Sequence, residues 1–426
     1  MTDARVTARI PAAIVPALRA LLAGKAVDWP ELTPEDWGRA VTAFDDQGAL
    51  PLVHAADGAL AGAAGVGRST GRVPEPLALP AAAAYYRTAA HNALLLAERD
   101  ALLDELAALG VCAVPLKGAA LLGTAYPNIA LRPLGDLDLL VAEHDLARVD
   151  AHLVARGFAQ QLSGIPRLRH HLEYARVLPS GVPVLVEVHR RLLASPALDA
   201  ALPAADVLAR AAPDPLAGGT SIPSPADLLL HAAAHLVVQH AREERLVWVA
   251  DIDRIVRRWL AAPAAGADAA PSALAPVPWP RVLSTASAAG LADALGGALA
   301  AAVLWFGTPL PSAAQRLADA ALKPTPPAAL RRFRAHAPVG REGARVVQDA
   351  LAHQSLAAGV GFALRSAFPS PAYMRTWYGV DHPVLLPIYY AARLGRGLWH
   401  LAAQATRPAG ERRQAAEPPD RWMVDG

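Results

Sequence analysis

The segment PLGDLDLLV, residues 133–141, places two aspartates two positions apart within an apolar run. In a β-strand, residues i and i+2 project from the same face, so we expect Asp136 and Asp138 to point together while Leu137 and Leu139 point into the core. A carboxylate beside a core is costly unless its charge is compensated, and two adjacent carboxylates also repel each other. The pattern therefore predicts a strand that holds a cation.

A third acid lies in the apolar strand pattern VLVEVH, residues 184–189. Carboxylates and substrate phosphates are the ligands that Mg²⁺ prefers, and three carboxylates suit a two-metal phosphoryl-transfer site. We therefore predict that Asp136, Asp138 and Glu187 hold two Mg²⁺ ions, although a lone D-x-D pair is also common on solvated strands. His189 shares the strand face of Glu187 and is a candidate to orient that acid, to contact substrate or to make a structural hydrogen bond.

A phosphate-binding turn is predicted at LKGAAL, residues 116–121, where a strand pattern ends before a helix. Gly118 allows close approach of a phosphate, and the helix N-terminus offers N–H groups to an anion. Lys117 is expected to neutralise a triphosphate oxygen, and Arg132, four residues before Asp136, is a second candidate phosphate ligand. The alternative is an ordinary turn with a solvated lysine and a solvated loop arginine.

The charge balance and the cysteine content exclude several classes of protein. The 40 basic and 38 acidic residues give a net charge of +2, which argues against a protein that coats nucleic acid. The single cysteine, Cys112, excludes an intramolecular disulfide and a cysteine-based zinc cluster, and its apolar neighbours predict that it is buried. We expect a cytoplasmic protein with neither a signal peptide nor a membrane span, because no stretch of eighteen residues lacks both charge and proline.

The chain reads as an α+β protein with few strands. A long helix is predicted at 91–109, a hairpin at 171–178 and 183–189, and helix over 224–260 with Ser224 as its N-cap. The predicted organisation comprises an N-terminal helical segment (1–90), an α/β core (91–195), a helical domain forming a cleft wall (196–405) and a disordered tail (406–426).

Two histidines, His231 and His235, lie four residues apart and so share one face of the predicted helix. They are interpreted as a packed polar pair, with His235 as a candidate substrate contact. A zinc site is the alternative, but H-A-A-A-H lacks the glutamate of H-E-x-x-H. We also expect Asp251 to hydrogen-bond a histidine of the preceding helix.

The run LKGAALLGTAYPNIALRPLGDLDLLV, followed by VEVH, resembles the uncharacterised nucleotidyltransferase family of bacteria, within the DNA polymerase β-like nucleotidyltransferase superfamily. The resemblance implies a minimal nucleotidyltransferase fold, a short mixed sheet backed by helices. It also implies that Asp136 and Asp138 match the metal-binding pair and Glu187 the third acid. Better-known members carry a Gly-Ser pair at the triphosphate, whereas Gly118 is followed here by Ala119.

The resulting hypothesis is a Mg²⁺-dependent enzyme that moves a nucleoside monophosphate from ATP or another nucleoside triphosphate to an acceptor hydroxyl or phosphate. The acceptor is left open among a small molecule, a peptide or protein, and RNA. The alternative is a non-catalytic module that acts through protein partners. A lysine or arginine salt-bridged into the space between the three acids, or a Glu187 turned away from the two aspartates, would leave the transferase hypothesis without its chemistry.

Overall fold

The computed structural model describes residues 10–57, 73–161, 170–193, 202–214, 219–239, 245–260, 278–322, 356–378 and 382–405. These residues form two compact units, the first within 10–322 and the second within 356–405. The domain boundaries expected from the sequence stay a prediction, and the expected disordered tail lies outside the described residues.

The first unit contains most of the helices and all the described strands. Its helices are α1 (Val15–Leu22), α2 (Pro34–Asp46), α3 (Leu50–Ala56), α4 (Glu75–Ala108), α5 (Lys117–Leu121), α6 (Leu146–Ala155), α7 (Ala204–Arg210), α8 (Pro225–Ala234), α9 (Leu246–Ile255), α10 (Trp279–Ala288), α11 (Ala292–Phe306) and α12 (Ser312–Leu322). Its strands are β1 (Ala113–Pro115), β2 (Leu137–Val141), β3 (Ala159–Gln161), β4 (His171–Val177), β5 (Pro183–His189), β6 (Ala212–Pro213) and β7 (Ser221–Ile222). The second unit consists of α13 (Leu356–Ala367), α14 (Pro371–Tyr378) and α15 (Leu386–Ala405).

Five strands form one mixed sheet in the order β1-β2-β5-β4-β3. Strands β2 and β5 are parallel at its centre, and the other pairs are antiparallel. Every residue of β2 is buried, whereas in β5 Val184, Val186 and Val188 are buried and Glu187 between them is partly exposed. The apolar face of β5 therefore joins the core and leaves Glu187 on the opposite face. The predicted α+β class, with a short mixed sheet and helices, is confirmed.

Helix α4 begins sixteen residues before the predicted helix at 91–109. The sequence did not predict the first sixteen residues because they contain Pro76 and Pro80, which usually interrupt a helix. Pro76 lies in the first turn, where proline is tolerated, and Pro80 lies one turn later. The spacing of Leu95, Leu102, Leu106 and Leu109 predicts one apolar stripe; the first three are completely buried, whereas Leu109 follows the helix end and is 45% exposed. The helix ends at Ala108 before Gly110, whose φ of 70° is left-handed.

Other local predictions have mixed outcomes. The hairpin is present as β4 and β5, and the Ser224 side chain accepts a hydrogen bond from the N–H of Asp227 at the start of α8. The region 224–260 contains the described helices α8 and α9, in agreement with the two successive helices expected for the histidine pair and for Asp251. Cys112 is exposed, so the expectation that it is buried was wrong. Within the described part of the chain, no helix has both the length and the apolar character needed to cross a bilayer.

Candidate active site

A row of carboxylates crosses the centre of the sheet. Strand register places Asp138 of β2 beside Glu187 of β5, and Glu187 beside Glu173 of β4. Asp136 immediately precedes β2, two residues before Asp138. The structure thus brings the three acids singled out by the sequence to one region and adds a fourth, Glu173, that the sequence analysis missed. The strand pattern HLEYARV contained Glu173, but only the register reveals its neighbour.

Lys117 also reaches this region. Its Nζ lies 2.6 Å from Oδ1 of Asp138 and 3.7 Å from Oε2 of Glu187. Burial by itself would lower the pKa of Lys117, but the charges of Asp138 and Glu187 outweigh burial and raise that pKa above its usual value. The ammonium therefore occupies a cation position between two of the predicted metal ligands, the arrangement that counts against the transferase hypothesis.

The backbone of Lys117 is also unusual. Its φ is 45°, which makes it the one described residue other than glycine with a left-handed backbone. Lys117 is the first residue of α5, a helix of five residues that follows β1 closely. Strain of this kind is often found at functional sites, and here it fixes the point from which the lysine side chain reaches the acids.

Asp138 is almost completely buried, and its two oxygens differ. Oδ1 accepts hydrogen bonds from Nζ of Lys117 at 2.6 Å and from Nε2 of His189 at 2.8 Å. Oδ2 is buried and has no hydrogen-bond partner among the residues that the structure describes. Burial would raise the pKa of Asp138, but the Lys117 charge and the His189 hydrogen bond hold it well below the usual value. Asp138 is thus an anion with one buried oxygen left for a ligand.

Asp136 has the opposite balance. Burial, and then the adjacent charge of Asp138, raise the pKa of Asp136 to about 6. The charge of Lys117 opposes this increase without cancelling it. Carboxylates are the ligands that Mg²⁺ prefers, and a divalent cation near Asp136 and Asp138 would relieve this repulsion.

His189 binds both central acids and is completely buried. Its Nε2 donates to Asp138 at 2.8 Å and lies 3.2 Å from Oε2 of Glu187. Burial would lower the pKa of His189, but these two hydrogen bonds raise it above the usual value. These contacts match two of the three roles left open for His189, namely orientation of Glu187 and a structural hydrogen bond.

The side chain of Arg132 packs directly against the backbone of Gly118. Nε and Nη2 of Arg132 donate to Oδ1 and Oδ2 of Asp251, each at 2.9 Å. The Tyr126 hydroxyl donates to Oδ1 of the same carboxylate, also at 2.9 Å. Asp251 therefore binds an arginine and a tyrosine, and the expectation that it would bind a histidine was wrong. A Cβ at Gly118 would lie 2.1 Å from Nη1 of Arg132 and 2.7 Å from Leu134. The missing side chain of Gly118 makes room for Arg132, and contact of either residue with phosphate stays a prediction.

A residue of α4 that the sequence analysis missed holds the loop before Asp136. Asn92 is completely buried, and its amide donates to the carbonyl oxygens of Ile129 at 2.7 Å and Arg132 at 2.8 Å. Its side-chain oxygen accepts from the N–H of Leu134 at 3.2 Å. No sequence pattern distinguished Asn92 from the other polar residues of its helix. These three hydrogen bonds fix the path of the chain into β2.

The acids open onto a cavity of about 710 Å³ in the first unit. The sheet side of the cavity contributes Lys117, Asp136, Asp138, His171 and Glu187. Helices α4, α8 and α9 and their ends contribute the facing side chains, which include Arg87, His91, His235, Arg245 and Trp248. The sheet side is thus acidic, and the helical side carries basic and aromatic side chains together with the carboxylates of Asp45 and Asp46. That the later helices form a separate domain and one wall of a cleft stays a prediction.

Among the described residues, no cluster of potential metal ligands includes His231 or His235. The ring centroids of the two histidines are 6.4 Å apart. The ring of His235 packs edge-on against Trp248 at 4.9 Å in the cavity wall, whereas His231 is buried. His235 is therefore placed where it can meet a substrate, and that role stays a prediction.

Comparison with known proteins agrees with this geometry. A search of curated proteins finds no match. The model of one family spans residues 33–307, which include all four acids, Lys117 and the helices around the cavity. A match over this much of the chain supports nucleotidyl transfer as the class of function. The chain belongs to the uncharacterised nucleotidyltransferase family.

Proposed function

We propose that this protein is a Mg²⁺-dependent nucleotidyltransferase that moves a nucleoside monophosphate from a nucleoside triphosphate to an acceptor hydroxyl or phosphate. The observation that carries the proposal is the register between Asp138 and Glu187 on parallel strands, with Asp136 just before them. The buried Oδ2 of Asp138, which has no partner within the described ranges, supports a cation at this place.

Asp136, Asp138 and Glu187 would hold the metal. Bound Mg²⁺ would activate the acceptor oxygen and stabilise charge on the departing pyrophosphate. His189 keeps the carboxylates of Asp138 and Glu187 in position through its two Nε2 contacts. The proposal requires both Asp136 and Asp138 to be ionised, which for Asp136 means a pH above its raised pKa of about 6.

Lys117 has to exchange partners for this chemistry. Its Nζ now neutralises Asp138 and Glu187, so metal binding competes with the ammonium for the same oxygens. A triphosphate brings anionic oxygens to the same place, and they can accept the ammonium once Mg²⁺ has replaced it. The proposal therefore assigns Lys117 to the triphosphate in the complex and to the acids in the free protein.

The cavity favours a compact, polar acceptor. Its volume of about 710 Å³ is in the range of small-molecule sites, and its far wall carries Arg87, Arg245 and Trp248. The ring of Trp248 beside Arg245 suits a base or another flat group, and Arg245 suits an anion, whereas Arg87 is paired with Asp45. A small molecule, a peptide or protein side chain, and the end of an RNA all stay within the proposal.

The decisive experiment uses each of the four labelled nucleoside triphosphates with Mg²⁺ and pools of candidate acceptors, analysed by mass spectrometry. We expect one acceptor to gain the mass of a nucleoside monophosphate. Asp138→Asn should abolish the product, and Asp319→Asn, which alters an exposed carboxylate on α12, should retain it. Product formation by Asp138→Asn at the wild-type rate would contradict the assignment.

The non-catalytic alternative rests on a specific observation. Lys117 already neutralises Asp138 and Glu187, and Ala119 replaces the serine expected at the triphosphate. A protein that never binds metal would be stable with this arrangement. Isothermal titration of the folded protein with ATP, CTP, GTP and UTP in Mg²⁺ separates the two functions, because absence of heat for all four favours the module.

A further inference from the structure

A second cluster of donor atoms lies on the side of Glu187 that faces away from Asp138. Antiparallel register pairs Glu173 of β4 with Glu187 of β5 and, two residues along, His171 with His189. All four side chains share one face of the sheet, since residues two apart on a strand project together. Two carboxylates directly opposite each other on neighbouring strands are destabilising unless positive charge lies between them.

His171 lies between these two carboxylates. Its Nε2 is 3.0 Å from Oε1 of Glu173, and its Nδ1 is 3.5 Å from Oε2 of Glu187. One donor atom from each of His171, Glu173 and Glu187 can be chosen so that all lie within 4.8 Å of one another. Ligands around one tetrahedral zinc ion at about 2.0–2.2 Å are themselves roughly 3.3 Å apart. The three donor atoms are therefore close enough for one ion to draw them together by small side-chain shifts.

A neighbouring histidine orients His171. Nε2 of His170 lies 3.1 Å from Nδ1 of His171, and His170 is itself buried. With its proton on Nδ1, His171 would satisfy this contact and direct the Nε2 lone pair toward Glu173, whereas a proton on Nε2 makes the contact with Glu173 a hydrogen bond. Metal-binding histidines are commonly held in this way by a partner on the second ring nitrogen. A lone pair facing a carboxylate at 3.0 Å needs a proton or a metal ion between them.

We infer that His171, Glu173 and Glu187 form a binding site for a divalent transition-metal ion, of the Zn²⁺ or Co²⁺ type, beside the proposed Mg²⁺ site. The imidazole favours such an ion over Mg²⁺, which prefers an all-oxygen shell. Glu187 is common to both sites, whereas Asp136 belongs only to the proposed Mg²⁺ site and Glu173 only to this one. The inference shares Glu187 with the proposed function but does not require catalysis.

The test is a titration of the full chain with Co²⁺ in excess Mg²⁺, followed by visible absorption, which reports nitrogen ligation. We expect one Co²⁺ per chain, and Zn²⁺ should displace it. Glu173→Gln and His171→Asn should each weaken Co²⁺ binding at least tenfold, while Asp136→Asn should keep the wild-type affinity. Circular dichroism confirms that each variant is folded, and two independent ligand variants guard against the failure of one.

Three results would overturn the inference. They are no Co²⁺ absorption in the wild type, unchanged affinity in both ligand variants, or loss of Co²⁺ binding in Asp136→Asn, which would place the ion at the Mg²⁺ site. Nucleotidyl transfer is measured separately with Mg²⁺ alone. Co²⁺ binding without any transfer leaves this site standing and removes the proposed function, whereas transfer without Co²⁺ binding does the reverse.

Discussion

Replacement of Asp251 by asparagine tests whether Arg132 is committed to the interior or available to a ligand. The side chains of Arg132 and Asp251 are only 8% and 7% exposed, and two 2.9 Å contacts join them. Asparagine keeps the shape of the side chain and one acceptor oxygen but removes the charge. Removal of one partner from a buried ion pair costs about 3–5 kcal/mol, because the remaining charge is left without compensation. Asparagine retains part of the hydrogen bonding, so we expect about 3 kcal/mol.

Urea unfolding measures this loss, followed by the fluorescence of tryptophans such as Trp259 and Trp305, which are buried in the first unit. With a slope of about 3 kcal/mol/M, the midpoint should fall by about 1 M. The matched control is Asp45→Asn, since Asp45 pairs with Arg87 while both side chains are more than half exposed. That variant should lose less than about 1 kcal/mol.

The double variant Arg132→Met, Asp251→Leu supplies a second check. Apolar replacement of both partners removes the unpaired charge, so part of the lost stability should return. If Asp251→Asn costs no more than Asp45→Asn, the reasoning fails. Arg132 would then not be held by a buried partner and would be available to a ligand in the cavity that it lines.

The remaining predictions concern single positions around the site. Asp136→Asn should stabilise the Mg²⁺-free protein above pH 6, since the folded state resists ionisation of a carboxyl whose pKa is about 6, and added Mg²⁺ should cancel the gain in a thermal melt. Lys117→Met should bind Mg²⁺ more tightly without nucleotide yet raise the KM for the triphosphate; unchanged values would exclude Lys117 from the site. Burial lowers the pKa of His231 to about 3, so only the unfolded chain takes up that proton below pH 6.5 and stability should fall as the pH falls toward 3; His231→Gln should weaken this dependence in pH-resolved denaturation. Asn92→Leu loses three buried hydrogen bonds and should cost about 2–4 kcal/mol and reduce transfer, with no loss in either assay contradicting its positioning role.

Local rules predicted much of the sheet. Strand alternation identified β4 and β5, and the apolar run around Asp138 identified β2. The same alternation placed Glu187 on the face opposite the buried valines, so adjacency of the acids needed only the correct pairing of two strands. The prediction that Cys112 is buried was wrong because apolar sequence neighbours do not determine the burial of one residue in the connection between a helix and a strand.

What the sequence could not supply was long-range partnership. Asp251 is 119 residues from Arg132, and no periodicity links them. Asn92 likewise has no distinguishing pattern, because its three partners lie in a loop about forty residues away. The sequence identified Lys117 as a charged residue near the acids. The direction in which its side chain points depends on a left-handed backbone, which lysine rarely adopts. Pairing in three dimensions, and not residue type, decides these roles.

The left-handed backbone of Lys117 lowers the stability of the folded protein, whereas its side chain is proposed to take part in the reaction. An L-residue held in the left-handed region costs about 1–2 kcal/mol, which glycine avoids. Lys117→Gly would remove this cost but would leave the buried carboxylate of Asp138 without its ammonium, which costs about 3–5 kcal/mol. Selection for heat resistance and selection for activity should therefore both retain the lysine at this codon, in spite of its backbone.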